Sequence, residues 1–209
     1  MARPRSDIAP RILHAARERF LQEGVDGASL RQIAADAGTS IGMVYYYYPT
    51  KDELFLAVVE EIYAGLLAEL EEALAHEASA EERIRLFFRR FARMSDEELM
   101  VIRLVVREAL VSSARLSRLV DRFSKGHMPL LARALLEGVG AGELTDRHHP
   151  AVLVISTLAL SMVPQVMRRR LEGRLPSGVE VPPAEALASS LVDVLLHGIA
   201  PAEKARSHG

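Results

Sequence analysis

The chain is expected to be all-α, with a small three-helix domain at its N-terminal end and a larger helical domain after it. Three observations carry that expectation. Apolar residues recur at spacings of three, four and seven along nearly the whole chain. No stretch alternates with the two-residue period of a half-buried strand, and no repeat is visible. Glycines, prolines and hydroxyl side chains fall where helices of ordinary length should start and stop. With 209 residues, 49% of them hydrophobic, there is enough apolar material for a full core.

The first helix is placed at residues 7–22. Pro10 is tolerated in its opening turn, Ile12, Leu13, Ala16 and Phe20 make one apolar stripe, and Gly24 ends it. The second runs from Leu30 to about Ala37, with Ser29 as N-cap and Leu30, Ile33, Ala34 and Ala37 facing the core. Gly38 supplies a left-handed residue, Thr39 or Ser40 caps the next helix, and that short helix spans about Ile41 to Tyr47. Pro49 stops it, because proline cannot continue a helix and disfavours helical geometry at Tyr48. Two short helices joined by so tight a turn have helix-turn-helix spacing. Four consecutive tyrosines, at about 100° per residue, point around most of the second helix, so some must face outward.

Thr50, Asp52 and Glu53 then start a long helix that continues to about His76. Three more helices are placed at 80–94, 96–112 and 116–138, the last kinked at Met128–Pro129. Gly138–Gly142 reads as a C-cap and turn, since it comes after a helix and not after the strand that a phosphate-binding loop requires. Residues 146–171 form a helix in which Ala151–Met167 carries no charge. Ser156, Thr157, Ser161, Pro164 and Gln165 interrupt it and no second span exists, so a subunit interface fits better than a membrane. Residues 173–183 are a Pro/Gly linker, 184–199 a final amphipathic helix with Leu187, Leu191, Val194, Leu195 and Ile199 as its stripe, and the tail from Pro201 is expected to be disordered.

Residues 8–55, IAPRILHAARERFLQEGVDGASLRQIAADAGTSIGMVYYYYPTKDELF, resemble the N-terminal DNA-binding domain of the tetracycline-repressor (TetR) family of transcriptional regulators. The matching pieces are the first helix ending in Phe20 and Gly24, then Ile33–Ala34, Ala37–Gly38, the Ser40/Gly42 pair, Val44–Tyr45 and Pro49–Thr50–Lys51. The rest of the chain resembles the family in length and helical pattern alone. The resemblance implies a helix-turn-helix DNA-binding domain at 1–51 and an effector-binding and dimerisation domain at 52–209. It implies a cytoplasmic, homodimeric, ligand-responsive regulator, most often a repressor, that binds a palindromic operator and is released by a small, largely apolar effector. Neither enzymatic activity nor a cofactor is implied. The competing reading is a helical small-molecule-binding protein without DNA activity.

The same resemblance assigns DNA contact to Ser29, Arg31, Thr39, Ile41, Gly42, Met43, Tyr45, Tyr47 and Lys51. Arg31 is suited to a guanine, Ile41 and Met43 to thymine methyls, and Tyr45, Tyr47 and Lys51 to phosphates. For the effector it points to the helices between Lys51 and Gly138, with Met94, Met100 and Met128 as adaptable apolar fillers and Arg103, Arg107 and His127 as the polar candidates. Against that stands the plainer reading in which both arginines snorkel to solvent and His127 packs. Helices 146–171 and 184–199 would pair with their symmetry mates as a four-helix bundle.

Charge supports this polarity along the chain. Residues 1–51 hold seven Lys/Arg against five Asp/Glu, and the remainder 19 against 23, so the positive end is the one with the helix-turn-helix. Absence of cysteine excludes disulfides and thiol catalysis and suits a reducing cytoplasm. The opening MARPRSDIAPR lacks the apolar core of a signal peptide and reads as a short basic arm. Gly38–Gly42 matches the G-x-S-x-G pattern of serine hydrolases, but the helical residues before it and the lack of sheet strands make Ser40 a cap. His14/Glu18 and Asp146–His149 have spacings a metal can use, yet neither offers a further ligand in register, and both read as solvated surface.

Overall fold

The computed structural model describes residues 7–75, 78–171, 173–176 and 180–199. Residues 1–6 of the basic arm, His76, residues 177–179 of the linker, the Ile199 side chain and the tail from Pro201 lie outside the described residues. Every regular element among them is a helix: α1 (Ile8–Gly27), α2 (Leu30–Asp36), α3 (Ile41–Tyr47), α4 (Lys51–Ala75), α5 (Ala80–Ala92), α6 (Asp96–Val111), α7 (Ser113–Phe123), α8 (His127–Gly140), α9 (Pro150–Leu171) and α10 (Ala184–Ile199). The chain is all-α.

The helix expected at 116–138 is two helices. Its first part begins earlier, at Ser113, and ends at Phe123, where the Gly126 N–H closes a turn on the Phe123 carbonyl. Pro129 therefore stands third in α8, within the first turn, where a missing N–H costs nothing, and it causes no kink. Pro150 likewise opens α9, so that helix starts four residues later than its periodicity suggests.

Packing groups the helices differently from chain order. One compact unit comprises residues up to Leu66 together with Asp96–Arg122; the other comprises Leu67–Ser95 and the chain from Phe123 onward. A boundary drawn after Lys51 leaves α6 and α7 with the second domain, whereas they pack in the first unit.

In the first unit Ile12, Phe20, Val25, Ile33, Val44, Leu54, Phe55 and Val58 are fully enclosed, and Phe20 meets Phe55 edge to face with ring centroids 6.5 Å apart. Arg19 on α1 forks Asp36 at the end of α2, Nε to Oδ2 at 2.6 Å and Nη2 to Oδ1 at 3.2 Å. Those hydrogen bonds hold the Asp36 carboxyl below its ordinary range.

In the second unit α5 packs on α8, α9 and α10. It contributes Ile84, Phe87, Phe88 and Phe91, which are buried like Leu131, Leu135, Ala188 and Val192. Helix α9 has an unexpected polarity. Its buried stripe, at steps of four, is Leu153, Thr157, Ser161 and Gln165. The two hydroxyls donate back to Leu153 and Leu158 carbonyls, and Gln165 donates to the Ala184 carbonyl at the start of α10. The apolar Val152 and Ile155 face outward instead.

The start of α5 lies against the end of α8, where Ala80 N–H donates to the Glu143 carboxylate and Glu143 and Leu144 N–H both donate to the Gly138 carbonyl. A Cβ on Gly138 would overlap that of Ala80 and stand 3.0 Å from Leu144 Cδ1. Alanine gains about 1 kcal/mol of helix propensity over glycine, but overpacking of this kind costs about 1–3 kcal/mol. Gly138→Ala is accordingly expected to destabilise the chain on balance, read as a lower urea midpoint with an unchanged slope; a raised midpoint would show that Ala80 and Leu144 give way freely.

Candidate nucleic-acid interface

The geometry of the site begins at the turn between α2 and α3. Gly38 takes φ 61°. Around it the Thr39 N–H reaches the Ala34 carbonyl at 2.9 Å and the Gly38 N–H the Ala35 carbonyl at 3.0 Å, a paired closure that satisfies the last carbonyls of α2. Arg11 of α1 donates to the Ala37 carbonyl at 2.7 Å, adding charge at the same helix end. Ser40, rather than Thr39, caps α3 through its hydroxyl and the Met43 N–H at 3.3 Å. Ser29 occupies the N-cap position of α2, but its side chain makes no cap hydrogen bond, so the expected capping role is not taken up. After Pro49, Thr50 and Glu53 cap α4 reciprocally, each side chain accepting the other's N–H at 3.1 and 3.0 Å.

Val44 is fully buried, and that sets the phase of α3. At about 100° per residue, Gly42 and Tyr46 point nearly opposite Val44, Tyr45 and Met43 lie to either side, and Ile41 and Tyr47 sit close to the buried edge. Exposure is ordered in the same way: Tyr46 is 76% and Tyr45 49% exposed, Gly42 is exposed, and Ile41, Met43 and Tyr47 are half-buried. Tyr47 packs edge-on to Tyr46 at 5.2 Å and against Tyr48 at 6.3 Å. Burial, then Glu61, pushes the Tyr48 hydroxyl above its ordinary value. Tyr46 is absent from the sequence-derived contact residues, although the four-tyrosine run contains it; the signal that finds it is the burial of Val44.

Of the remaining candidates, Arg31 is exposed on α2, Thr39 is half-buried in the turn, and Lys51 is half-buried at the start of α4. The Lys51 ammonium donates to the Asp26 carbonyl at 3.0 Å. The structure thus brings Arg31, Thr39, the outward residues of α3 and Lys51 onto three successive elements of one unit.

The effector candidates are distributed over both units. Met100 and Arg103 are half-buried in the first. Arg107, also there, keeps its guanidinium over Gly24 and donates to the Glu23 carbonyl at 3.4 Å. In the second unit Met94 is buried, Met128 half-buried, and His127 buried with its ring 5.2 Å from that of Phe123. Among the described residues no group of three metal-binding side chains assembles, and His14 faces Arg17 across 3.2 Å.

The profile of the bacterial regulatory proteins of the tetR family matches residues 12–58, the span from α1 to the first turns of α4. Residues 12–58 carry the helix-turn-helix domain of the tetR family. It is similar to the fatty acid metabolism regulator protein of Bacillus subtilis (strain 168), 24% identical over 65% of this chain and 70% of that one. It is also similar to the transcriptional regulator RutR of Escherichia coli (strain K12), 42% identical over 36% of this chain and 37% of that one. Among solved structures, the FadR regulator of Bacillus subtilis in complex with stearoyl-CoA superposes with a TM-score of 0.72 at 20% identity, over 90% of this chain and 98% of that one. The protein is a helix-turn-helix transcriptional regulator that binds DNA, from a family without enzymatic activity.

Two substitutions would tell base reading from anchoring. Arg31→Ala is expected to weaken binding and relax preference at one base pair per half-site, by about 1–3 kcal/mol against the wrong base; equal loss on every sequence would make Arg31 a phosphate contact. Tyr46→Ala is expected to lower affinity about tenfold, the worth of one hydrogen bond to a charged group. Tyr47→Ala should act less, and Tyr46→Phe shows how much belongs to the hydroxyl.

Proposed function

We propose that this regulator is a homodimeric repressor that occupies a palindromic operator and is released by a small amphipathic effector with a long acyl chain. The observation that carries the DNA half is the outward face of α3, Tyr45, Tyr46 and Gly42, held between the Ser40 cap and Pro49 with Val44 locked inside. A short, externally presented helix of this kind suits the major groove, and two of them related by a dyad suit half-sites about one helical turn apart. Thr39, Ile41, Met43, Tyr47, Ser29 and Lys51 flank that face and complete the proposed contacts. Such a protein works in the cytoplasm, where its operator is.

Dimerisation rests on the polarity of α9. The segment Pro150–Arg168 is long and apolar enough by composition to cross a membrane, and 22% of it is buried within the chain. Its polar stripe is committed inward, so the apolar stripe of Val152, Ile155 and Ala159 faces out. An isologous contact between two copies covers such a stripe twice over, and α10 exposes Val194 (65%) besides. Ile155→Glu and Val194→Glu are expected to yield folded monomers that lose tight operator binding, measured by sedimentation and by fluorescence anisotropy on the same samples. A monomeric wild type at micromolar concentration would overturn the assembly.

For the effector, support comes from the stearoyl-CoA bound in the Bacillus subtilis FadR structure, and from the similarity to a fatty acid metabolism regulator. The proposed contacts, all within the second unit, are Met94 and Met128 for the acyl chain and His127 for its polar end. Stearoyl-CoA is expected to raise the melting temperature and to release a bound operator duplex. If neither stearoyl-CoA nor free stearate does so, the acyl class is wrong while the DNA-binding role stands.

A further inference from the structure

The break in α1 is held from α6 and α7 by three consecutive grips. Gly24 has φ 79° and ψ 168°, and a Cβ there would collide with the Arg107 guanidinium. One residue on, the Val25 N–H donates to Glu108 Oε1 at 3.2 Å. Next, Arg115 forks the Asp26 carboxylate, Nη1 to Oδ1 at 2.9 Å and Nη2 to Oδ2 at 2.6 Å. Arg115 is 4% exposed and also meets Asp52 Oδ1 at 3.3 Å and Glu108 Oε2 at 2.9 Å. The Asp26 carbonyl then receives the Lys51 ammonium.

We propose that Arg115 is a positioning residue for DNA binding: by clamping Asp26 it fixes the carbonyl that holds the Lys51 ammonium in place for a phosphate. The inference rests on the DNA-contact role proposed for Lys51. A lysine carries much rotamer entropy into any complex, and an ammonium has three N–H donors. Seating one of them on the Asp26 carbonyl orders the side chain beforehand and leaves two for a phosphate oxygen. The bidentate fork is what makes the seat rigid, since two parallel N–H···O bonds fix the orientation of a carboxylate as a single contact does not. Arg115 itself needs no contact with DNA.

This assignment has a sign opposite to that of simple charge. Removing an acid near a DNA-binding surface tightens binding if the acid only repels phosphates; here Asp26→Asn is expected to weaken it, because asparagine cannot accept the fork. The Asp26 side chain is largely exposed, so the variant should fold. The measurement is anisotropy of a duplex recovered by in vitro selection with the wild-type chain, at several salt concentrations, for wild type, Asp26→Asn, Lys51→Met and the double variant. Lys51→Met alone should flatten the log–log salt slope by about one unit. Asp26→Asn should cost about fivefold in affinity, in line with one long side chain left to be ordered on binding. In its background Lys51→Met should cost markedly less than in wild type. Arg115→Lys, which keeps the charge and loses the fork, should repeat the pattern if it folds. Equal cost of Lys51→Met in both backgrounds, or tighter binding by Asp26→Asn, would overturn the inference with the regulator reading intact. An unchanged slope for Lys51→Met would overturn it too, by taking Lys51 off the DNA. A wild-type chain that selects no duplex would instead remove the DNA-binding reading, and this inference with it.

Discussion

A carboxylate with 2% of its residue surface exposed, Glu108, sets the terms for the whole first unit. A charge withdrawn from water is costly by several kcal/mol unless it is both paired and hydrogen-bonded. Glu108 meets that requirement chiefly through partners from other segments: the Val25 N–H from α1 and the Arg115 guanidinium from α7, with the Nε of its own neighbour Arg107 farther off at 3.8 Å. The pairing therefore cannot form until the end of α1, α6 and α7 are together. Once it has formed, Asp26 and Asp52 join the same guanidinium and bring the start of α4 into the arrangement. The apolar core of Phe20, Val25, Phe55 and Val58 supplies the larger share of stabilisation, but it does not by itself specify where residues 23–26 must lie. The ion network does.

What the sequence showed and what it withheld divide along the range of the forces concerned. The α2–turn–α3 unit was legible almost to the residue because its determinants are local: Gly38 for the left-handed turn, Ser40 for the cap, Pro49 for the stop. The capping box at Thr50–Glu53 was half seen for the same reason. Which tyrosines face outward was not legible, because the phase of a seven-residue helix is set by which single side chain is buried, and Val44 had no periodic partners within its own helix to declare it. The Glu108–Arg115–Asp26 network was invisible, since its members are 89 and 83 positions from their partners in α1 and each alone is an ordinary charged residue.

The two departures after α6 have separate causes. Residues 116–138 kept an unbroken helical period of apolar residues through the turn at Phe123–Gly126, so periodicity outvoted the Ser-Lys-Gly sequence that in fact ends one helix and caps the next. Pro129 was the usable clue, because proline is far commoner in a first turn than in a helix interior. In α9 the composition was legible and the direction of its faces was not. An apolar helix with a few hydroxyls suggests hydroxyls outward. Here Thr157 and Ser161 satisfy themselves on their own backbone carbonyls, which lets small polar residues line the packed side at little cost, and the valine and isoleucine are left for another surface to cover.

Grouping α6 and α7 with the helix-turn-helix has a consequence for how regulation can work. An effector shifts an equilibrium only by its differential affinity for two states, and couplings between effector and DNA sites are typically about 1–3 kcal/mol. Breaking a buried ion pair by taking one partner away costs about 3–5 kcal/mol. Release of DNA by rupture of Glu108 from Arg115 would consume more free energy than such a coupling supplies. The motion within reach is one in which α6, α7, residues 23–26 and Lys51 move as a piece, with the network intact and α3 carried along. On that argument the network is a rigid coupling rather than a latch, and the flexible elements of the switch must be sought outside it.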